Sequence, residues 1–487
     1  MTLNVDGFEQ SVADCTSPKK ERHLNPKTDV IKGNEPVAVD LNSASQLARR
    51  LGLFDATMIV MGGIIGSGIF INPYVVARQV HTPLLILGAW AAGGLIALAG
   101  AFIYGELAAL RPHVGGQYAY IREAFHPAVA FIYGWTLLLV VQSGGMAAVA
   151  VTFARYFIDL THIGIADWLV AALALGALTF INCLGVRAGS SVQSVLMVLK
   201  ILAIALLIAA GLWSAGSGVS ETPSHAASAE PANWSTVGAF GAALVPVLFA
   251  YGGWQTASFI AGEVREPRKN LPRGLLIGVM GVIVLYLSVN FVCVSVLGAG
   301  GLAETTTPAS EVMRLVLGEN GRKIIAIGIA ISTLGFLSQG MLTAPRVYFA
   351  MAGDGLFFKS VAWLHPRTRV PVVAVALQGA LAIIIATSGK YEQILNYVVS
   401  IDSIFFGLTA ACLFGLRRKT SMTSEKPDTN SYALKVSTSV IVLFMAAEWL
   451  VAASAIYKYP ADSAIGIAIL LAGMPVYFFW RGRSKSG

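Results

Sequence analysis

Charge is what this chain of 487 residues has least of. Asp, Glu, Lys and Arg make up 12% of it, about half the ~25% of an ordinary soluble domain. That scarcity excludes a water-soluble globular enzyme, and the 56% hydrophobic content excludes a disordered chain. Cysteine is scarce too. The four present, Cys15, Cys183, Cys293 and Cys412, are scattered and imply no disulfide framework. The histidines are dispersed without metal-ligand spacing, so neither a metal nor a cofactor is expected. No clustered His, Asp or Glu at a membrane face suggests an enzyme. No ring of charges or filter repeat suggests a channel. A signal-peptide core is also missing from residues 1–48, which are polar, near charge balance, and read as a mostly disordered cytoplasmic tail.

What the chain has instead is long apolar sequence. Residues 124–154, 231–262 and 275–303 hold no charged side chain at all. A bilayer core about 30 Å thick takes ~20 residues of helix, so each of these can span it. The apolar runs predict twelve spans, near 54–79, 83–110, 126–157, 168–186, 190–213, 236–262, 274–298, 323–352, 371–387, 391–416, 434–456 and 463–480. Their length, and the lack of short alternating segments, points to helices rather than barrel strands. The expectation is an all-α polytopic membrane protein whose surroundings are the lipid bilayer.

The net charge of +8 invites a nucleic-acid reading, but most Lys and Arg fall in the tails and in the loops that follow even-numbered spans. Examples are Arg265, Arg268, Lys269 and Arg273, and then Arg417, Arg418 and Lys419. This is the positive-inside bias, with both termini cytoplasmic in a cell membrane. No nucleic-acid partner is expected. Residues 214–235 suit an outward loop, 304–321 an outward segment with short re-entrant helices, and 419–430 a cytoplasmic linker.

Two spans carry glycine clusters at their middles: Met61-Gly62-Gly63-Ile64-Ile65-Gly66-Ser67-Gly68-Ile69-Phe70 in the first and Phe249-Ala250-Tyr251-Gly252-Gly253-Trp254 in the sixth. Glycine costs about 1 kcal/mol in a helix interior, so both helices are expected to be discontinuous there. The clusters open spans 1–5 and 6–10. Because five is odd, the second unit must sit inverted, and paired interruptions of this kind point to a transporter binding site. The units predicted are 49–213 and 236–416, followed by two further helices at 433–480 and a tail at 481–487.

These motifs resemble those of the amino acid–polyamine–organocation transporters, especially the L-type amino-acid transporter branch and its bacterial relatives. The resemblance extends through Gly262-Glu263-Val264, Tyr104-Gly105-Glu106-Leu107, Gly115-Gly116-Gln117-Tyr118 and Arg346-Val347-Tyr348-Phe349-Ala350, from about residue 46 to 480. It implies a five-plus-five inverted-repeat fold and movement of amino acids by alternating access.

An amino-acid zwitterion needs donors for its carboxylate and acceptors for its ammonium, because unpaired charge in a membrane is expensive. A broken helix supplies both. The carboxylate is assigned to backbone N–H groups near Ser67 and Gly68, with the Ser67 hydroxyl able to help. The ammonium goes to carbonyls near Ile64, Phe249 and Gly252, with Ile65 and Gly66 in the same stretch. The resemblance implies that Phe249 closes over the substrate as an aromatic gate. Trp254 is expected in the wall, and Gln255, Thr256, Val141 and Gly145 at the side-chain end. Spans 1, 3, 6 and 8 hold no acidic residue at their middles, which favours neutral substrates over cationic amino acids or polyamines.

Lys200 sits mid-way along the fifth span, where a charge costs ~2.5–3.5 kcal/mol. It aligns with a lysine typical of the resembling group, whose ammonium stands where sodium-coupled relatives bind Na⁺. It can bond first-span carbonyls and the eighth-span hydroxyls of Ser332, Thr333 or Ser338, which argues against sodium coupling and leaves exchange or proton coupling. Asp402, in the tenth span, has three roles open: proton movement, lining the pocket, or bonding a broken helix. Glu448, outside the two repeats, is expected to have a peripheral or packing role. Glu106, Glu263, Arg346 and Asp55 read as gate or loop-anchoring charges. In animal L-type transporters a glycoprotein partner is bonded through a cysteine after the third span. Residues 159–167 have none, so no such disulfide-linked subunit is expected. A nutrient receptor that binds without transporting is the reading from a different class.

Overall fold

The computed structural model describes residues 47, 49–216, 234–387, 391–422, 435–458 and 460–484. The expected tail, most of the 214–235 loop and most of the 419–430 linker lie outside them. The described residues form helices and no strands.

Two helices open the bundle, α1 (Leu53–Ile64) and α2 (Gly68–Val80), with axes bent by 43° at the break between them. Then come α3 (Pro83–Leu110), α4 (Gln117–Ala124) and α5 (Pro127–Thr136). A π-helical segment, Leu137–Gln142, leads from α5 into α6 (Ser143–Thr161). Next are α7 (Asp167–Leu184), α8 (Val186–Gly216) and α9 (Trp234–Tyr251), the last continued by a 3₁₀ segment, Trp254–Glu263. The second half holds α10 (Pro267–Glu304), α11 (Pro308–Thr343), α12 (Pro345–Gly353), α13 (Val372–Ala386) and α14 (Tyr391–Met422). Two last helices follow, α15 (Thr438–Lys458) and α16 (Pro460–Ser484). Proline opens α3, α5, α10, α11 and α12, where its missing N–H would have had no helical partner anyway.

Among the described residues, ten helical runs are long and apolar enough to cross a membrane, and the bent α1–α2 pair makes an eleventh. The run expected at 371–387 is α13, which has 15 residues. At 1.5 Å each that is about 22 Å, short of a bilayer core. The outward segment at 304–321 is largely helical: α10 runs on to Glu304 through a kink at Gly298, and α11 starts at Pro308 and kinks at Gly318.

Burial is arranged as lipid contact demands. Leu84, Phe180, Trp213, Leu443 and Phe478 face outwards, whereas Gln193, Lys200, Asn290, Thr333 and Gln378 are fully buried. An exterior this apolar is a membrane-facing surface. The chain entering α1 is tied to the chain leaving the 3₁₀ segment: the N–H groups of Arg50 and Leu51 donate to the Glu263 carbonyl, and that of Arg265 to Leu51. This pairing brings the two glycine-rich interruptions side by side.

Candidate functional site

At the first break, α1 ends at Ile64, Ile65 is extended, and α2 begins at Gly68. A helix end frees carbonyls that must find other partners when buried. Three consecutive ones do so, each on a different helix. The Tyr286 hydroxyl of α10 donates to the Ile64 carbonyl at 3.1 Å and lies 3.2 Å from that of Ala250. The Lys200 ammonium of α8 donates to the Ile65 carbonyl. The Ser332 hydroxyl of α11 donates to the Gly66 carbonyl at 2.9 Å. A Cβ on Gly68 would lie 3.2 Å from that of Ala250, so the two chains pack closely there.

At the second break, Gly253 takes a left-handed φ of 105°. A Cβ on it would stand 2.0 Å from the Gly63 carbonyl oxygen, so the two interruptions touch, backbone to backbone. The Gly253 N–H donates to Gln255 Oε1 at 3.0 Å, and the Thr256 hydroxyl donates to the Gly253 carbonyl at 2.6 Å. Gln339 Nε2 in turn donates to Thr256 Oγ1 at 2.6 Å. The ten residues that follow are 3₁₀, a conformation seldom sustained beyond a few residues and often found at hinges.

Both breaks line one cavity of about 130 Å³. One water takes 10–15 Å³ on this measure, so there is room for on the order of ten waters, or one small solute. Ile64, Gly66, Ser67, Gly68, Phe249, Gly252, Trp254, Gln255, Val141, Gly145 and Asp402 all lie on its wall. Ile65 is buried and does not line the cavity; its carbonyl accepts from Lys200. Trp254 is fixed by stacking on Phe406 with ring centres 5.6 Å apart, and by an edge contact to Tyr104 at 4.8 Å.

Lys200, Ser332 and Ser338 stand behind the wall. Lys200 is fully buried against Gly335, where a Cβ would approach its Cε to 2.9 Å. Of the three eighth-span hydroxyls, Ser332 reaches the break, Thr333 bonds back to Ile329 and Ala330 of its own helix, and Ser338 has no partner among the described residues. The expected anchoring charges form pairs: Arg346 with Glu263 at 3.0 Å, both buried, and Arg417 with Glu106 at 2.6 Å. The Asp55 carboxylate accepts from the N–H of Gly52.

Of the two roles expected for Glu448, peripheral or packing, the peripheral one is corrected: α15 packs on α14 and α3, and Glu448 is buried on the cavity wall with Asp402. Gln142, Gln339 and Tyr286 were not anticipated either. Gln142 and Gln339 are amides alone in apolar spans, the kind of signal that singled out Lys200. Tyr286 carries no such mark, since a tyrosine in an apolar helix is ordinary.

Residues 51–480 match the model of the family described as amino acid permease. The chain belongs to the amino acid permease family. Among curated relatives of this permease, the serine/threonine exchanger SteT of Bacillus subtilis is 29% identical, over 90% of the chain and 98% of its own length. The large neutral amino acids transporter small subunit 2 of Rattus norvegicus is 28% identical, over 96% of the chain and 86% of its own length. The human b(0,+)-type amino acid transporter 1 is 30% identical over 90% and 88%. The relatives are transporters and not enzymes, and the family and apolar exterior make this chain a multi-pass membrane transporter of amino acids.

Proposed function

We propose that this permease carries neutral amino acids by alternating access, without sodium, driven by exchange or by a proton. The observation that supports this most is the single cavity walled by two adjoining backbone breaks. The α2 end offers N–H groups to the substrate carboxylate at Ser67 and Gly68. The carbonyls at Ile64, Phe249 and Gly252 take its ammonium, and Phe249 closes over it. No charged side chain is needed for that binding, so the site discriminates on shape at Val141, Gly145, Trp254 and Gln255.

The architecture we assign is twelve spans, with α13 as the ninth and the first and sixth discontinuous. Residues 49–213 and 236–416 are the inverted five-helix repeats, and 433–480 two added helices. The chain sits in the cell membrane with its 1–48 and 481–487 tails cytoplasmic. Sodium independence rests on Lys200, whose ammonium already supplies a positive charge at the Ile65 carbonyl. Ser332, Ser338 and Asp402 belong to the coupling machinery in this reading. The rat relative is named a small subunit, but a cysteine-free 159–167 loop favours a carrier without a disulfide-linked partner.

A second reading, transport of cationic amino acids or polyamines, is favoured by the carboxyl groups of Asp402 and Glu448 on the cavity wall. The experiment is uptake of a labelled neutral amino-acid mixture into sodium-free proteoliposomes, with or without unlabelled amino acids inside. Uptake into preloaded vesicles alone marks an exchanger, and uptake into empty ones under a pH gradient marks proton coupling. Strict dependence on sodium would overturn the Lys200 argument, and uptake of lysine or putrescine alone would select the second reading.

A further inference from the structure

Two carboxyl groups face the cavity from helices that carry neither break. Asp402 stands on α14 and Glu448 on α15, beside Ser403. Glu448 is 5% exposed and lies on the same wall as Ser403. Asp402 shares that cavity wall with Glu448, and it has no hydrogen-bond or ion-pair partner among the described residues. The wall around them is apolar: Trp254 stacked on Phe406, with Val398 and Val451.

No described residue on that wall is a base. The titratable groups packed against that wall are Tyr104 of α3, edge-on to Trp254 and Phe406, and Tyr133 of α5, edge-on to Phe405. The helices α6 and α9 present only uncharged residues to the cavity. Arg417 and Lys200, which do not line the cavity, are committed elsewhere: Arg417 to Glu106, and Lys200 to the Ile65 carbonyl.

Two neighbouring carboxylates in a water-poor site cannot both stay ionised without a counter-charge. A zwitterionic amino acid brings no net charge to supply one. We infer that Glu448 takes up a proton with each amino acid and releases it on the opposite side, with Asp402 as the neighbour whose charge makes the proton necessary. This rests on the cavity being the substrate site and decides how that site is driven. A proton from water on the entry side forms an O–H bond on a Glu448 carboxylate oxygen, the occupied cavity closes, and the bond breaks to water on the other side. Nothing is oxidised or reduced, and proton and amino acid travel together.

The test uses the full chain in sodium-free proteoliposomes containing a pH-sensitive dye, with uptake of the labelled neutral amino-acid mixture followed alongside. Uptake should acidify the lumen. Glu448→Gln should lower the ratio of protons to amino acids about tenfold or more, whatever amino-acid flux remains, and Glu448→Asp should restore part of it. Uptake by the unaltered protein without acidification overturns the inference even if the Gln variant fails to fold. So does an unchanged ratio in that variant. A complete lack of amino-acid uptake by the unaltered protein is a different failure, because it removes the transport reading itself.

Discussion

The two interruptions look alike in sequence but are held in different ways. At the first, the freed carbonyls of Ile64, Ile65 and Gly66 are taken by Tyr286, Lys200 and Ser332 from three separate helices. At the second, most bonds are local. Gly252 donates to Phe249, Gly253 to Gln255, and Thr256 to Gly253, while Gln339 reaches Thr256 and Tyr286 reaches the Ala250 carbonyl from other helices. The first break is therefore set by where α8, α10 and α11 stand, and a movement of any of them is felt there. The second has its turn closed by local bonds, and its far end is tied by Arg50, Leu51 and Arg346 to Glu263. The difference is one of degree: all three freed carbonyls of the first break depend on other helices, whereas the turn of the second is closed mostly by its own residues.

Substitutions can break this contrast, and the largest effect is expected where the joints touch. Gly253→Ala combines a left-handed backbone with a Cβ 2.0 Å from the Gly63 oxygen. It should cost about 3 kcal/mol or more and leave little folded protein in detergent by size-exclusion chromatography. Normal yield and melting temperature would mean that the second break is more pliable than described.

Lys200→Ala comes next. It leaves a buried carbonyl without its donor, at about 1–3 kcal/mol, so turnover in proteoliposomes should fall about tenfold to a hundredfold while membrane insertion persists. Unchanged flux would remove α8 from the clamp. The smallest effect is expected from Ser332→Ala, one neutral hydrogen bond worth about 1 kcal/mol. A several-fold slower exchange, with similar melting behaviour, would fit one clamp member among three. A loss equal to that of Lys200→Ala would show that the three act as a unit.

The sequence was most readable where a residue was out of keeping with its surroundings. Gly66-Ser67-Gly68 and Gly252-Gly253 interrupt helices that would otherwise run on, and Lys200 is a charge among aliphatic neighbours. The breaks and the lysine contact could be anticipated for that reason. Of the eighth-span hydroxyls, by contrast, only geometry distinguishes Ser332, which bonds Gly66, from Thr333, which bonds its own helix. Glu448 stood out chemically but was set aside, because it lies beyond the two repeats and nothing local says that α15 leans over α14. Tyr286 gave no warning, since its importance lies in a hydroxyl 222 positions from its Ile64 acceptor.

The π-helical stretch at Leu137–Gln142 has a consequence for how the cavity wall is specified. Such a turn holds more residues than an α-turn, so it shifts the facing of everything after it by about 100°, the rotation of one α-helical residue. Val141 and Gln142 sit within that stretch and Gly145 just beyond it, and all three are on the wall. Rewinding that stretch as α-helix at the same chain length would leave an equally apolar helix that presents a different stripe to the cavity. On this side, the lining of the cavity is set by the winding of the chain as much as by its letters.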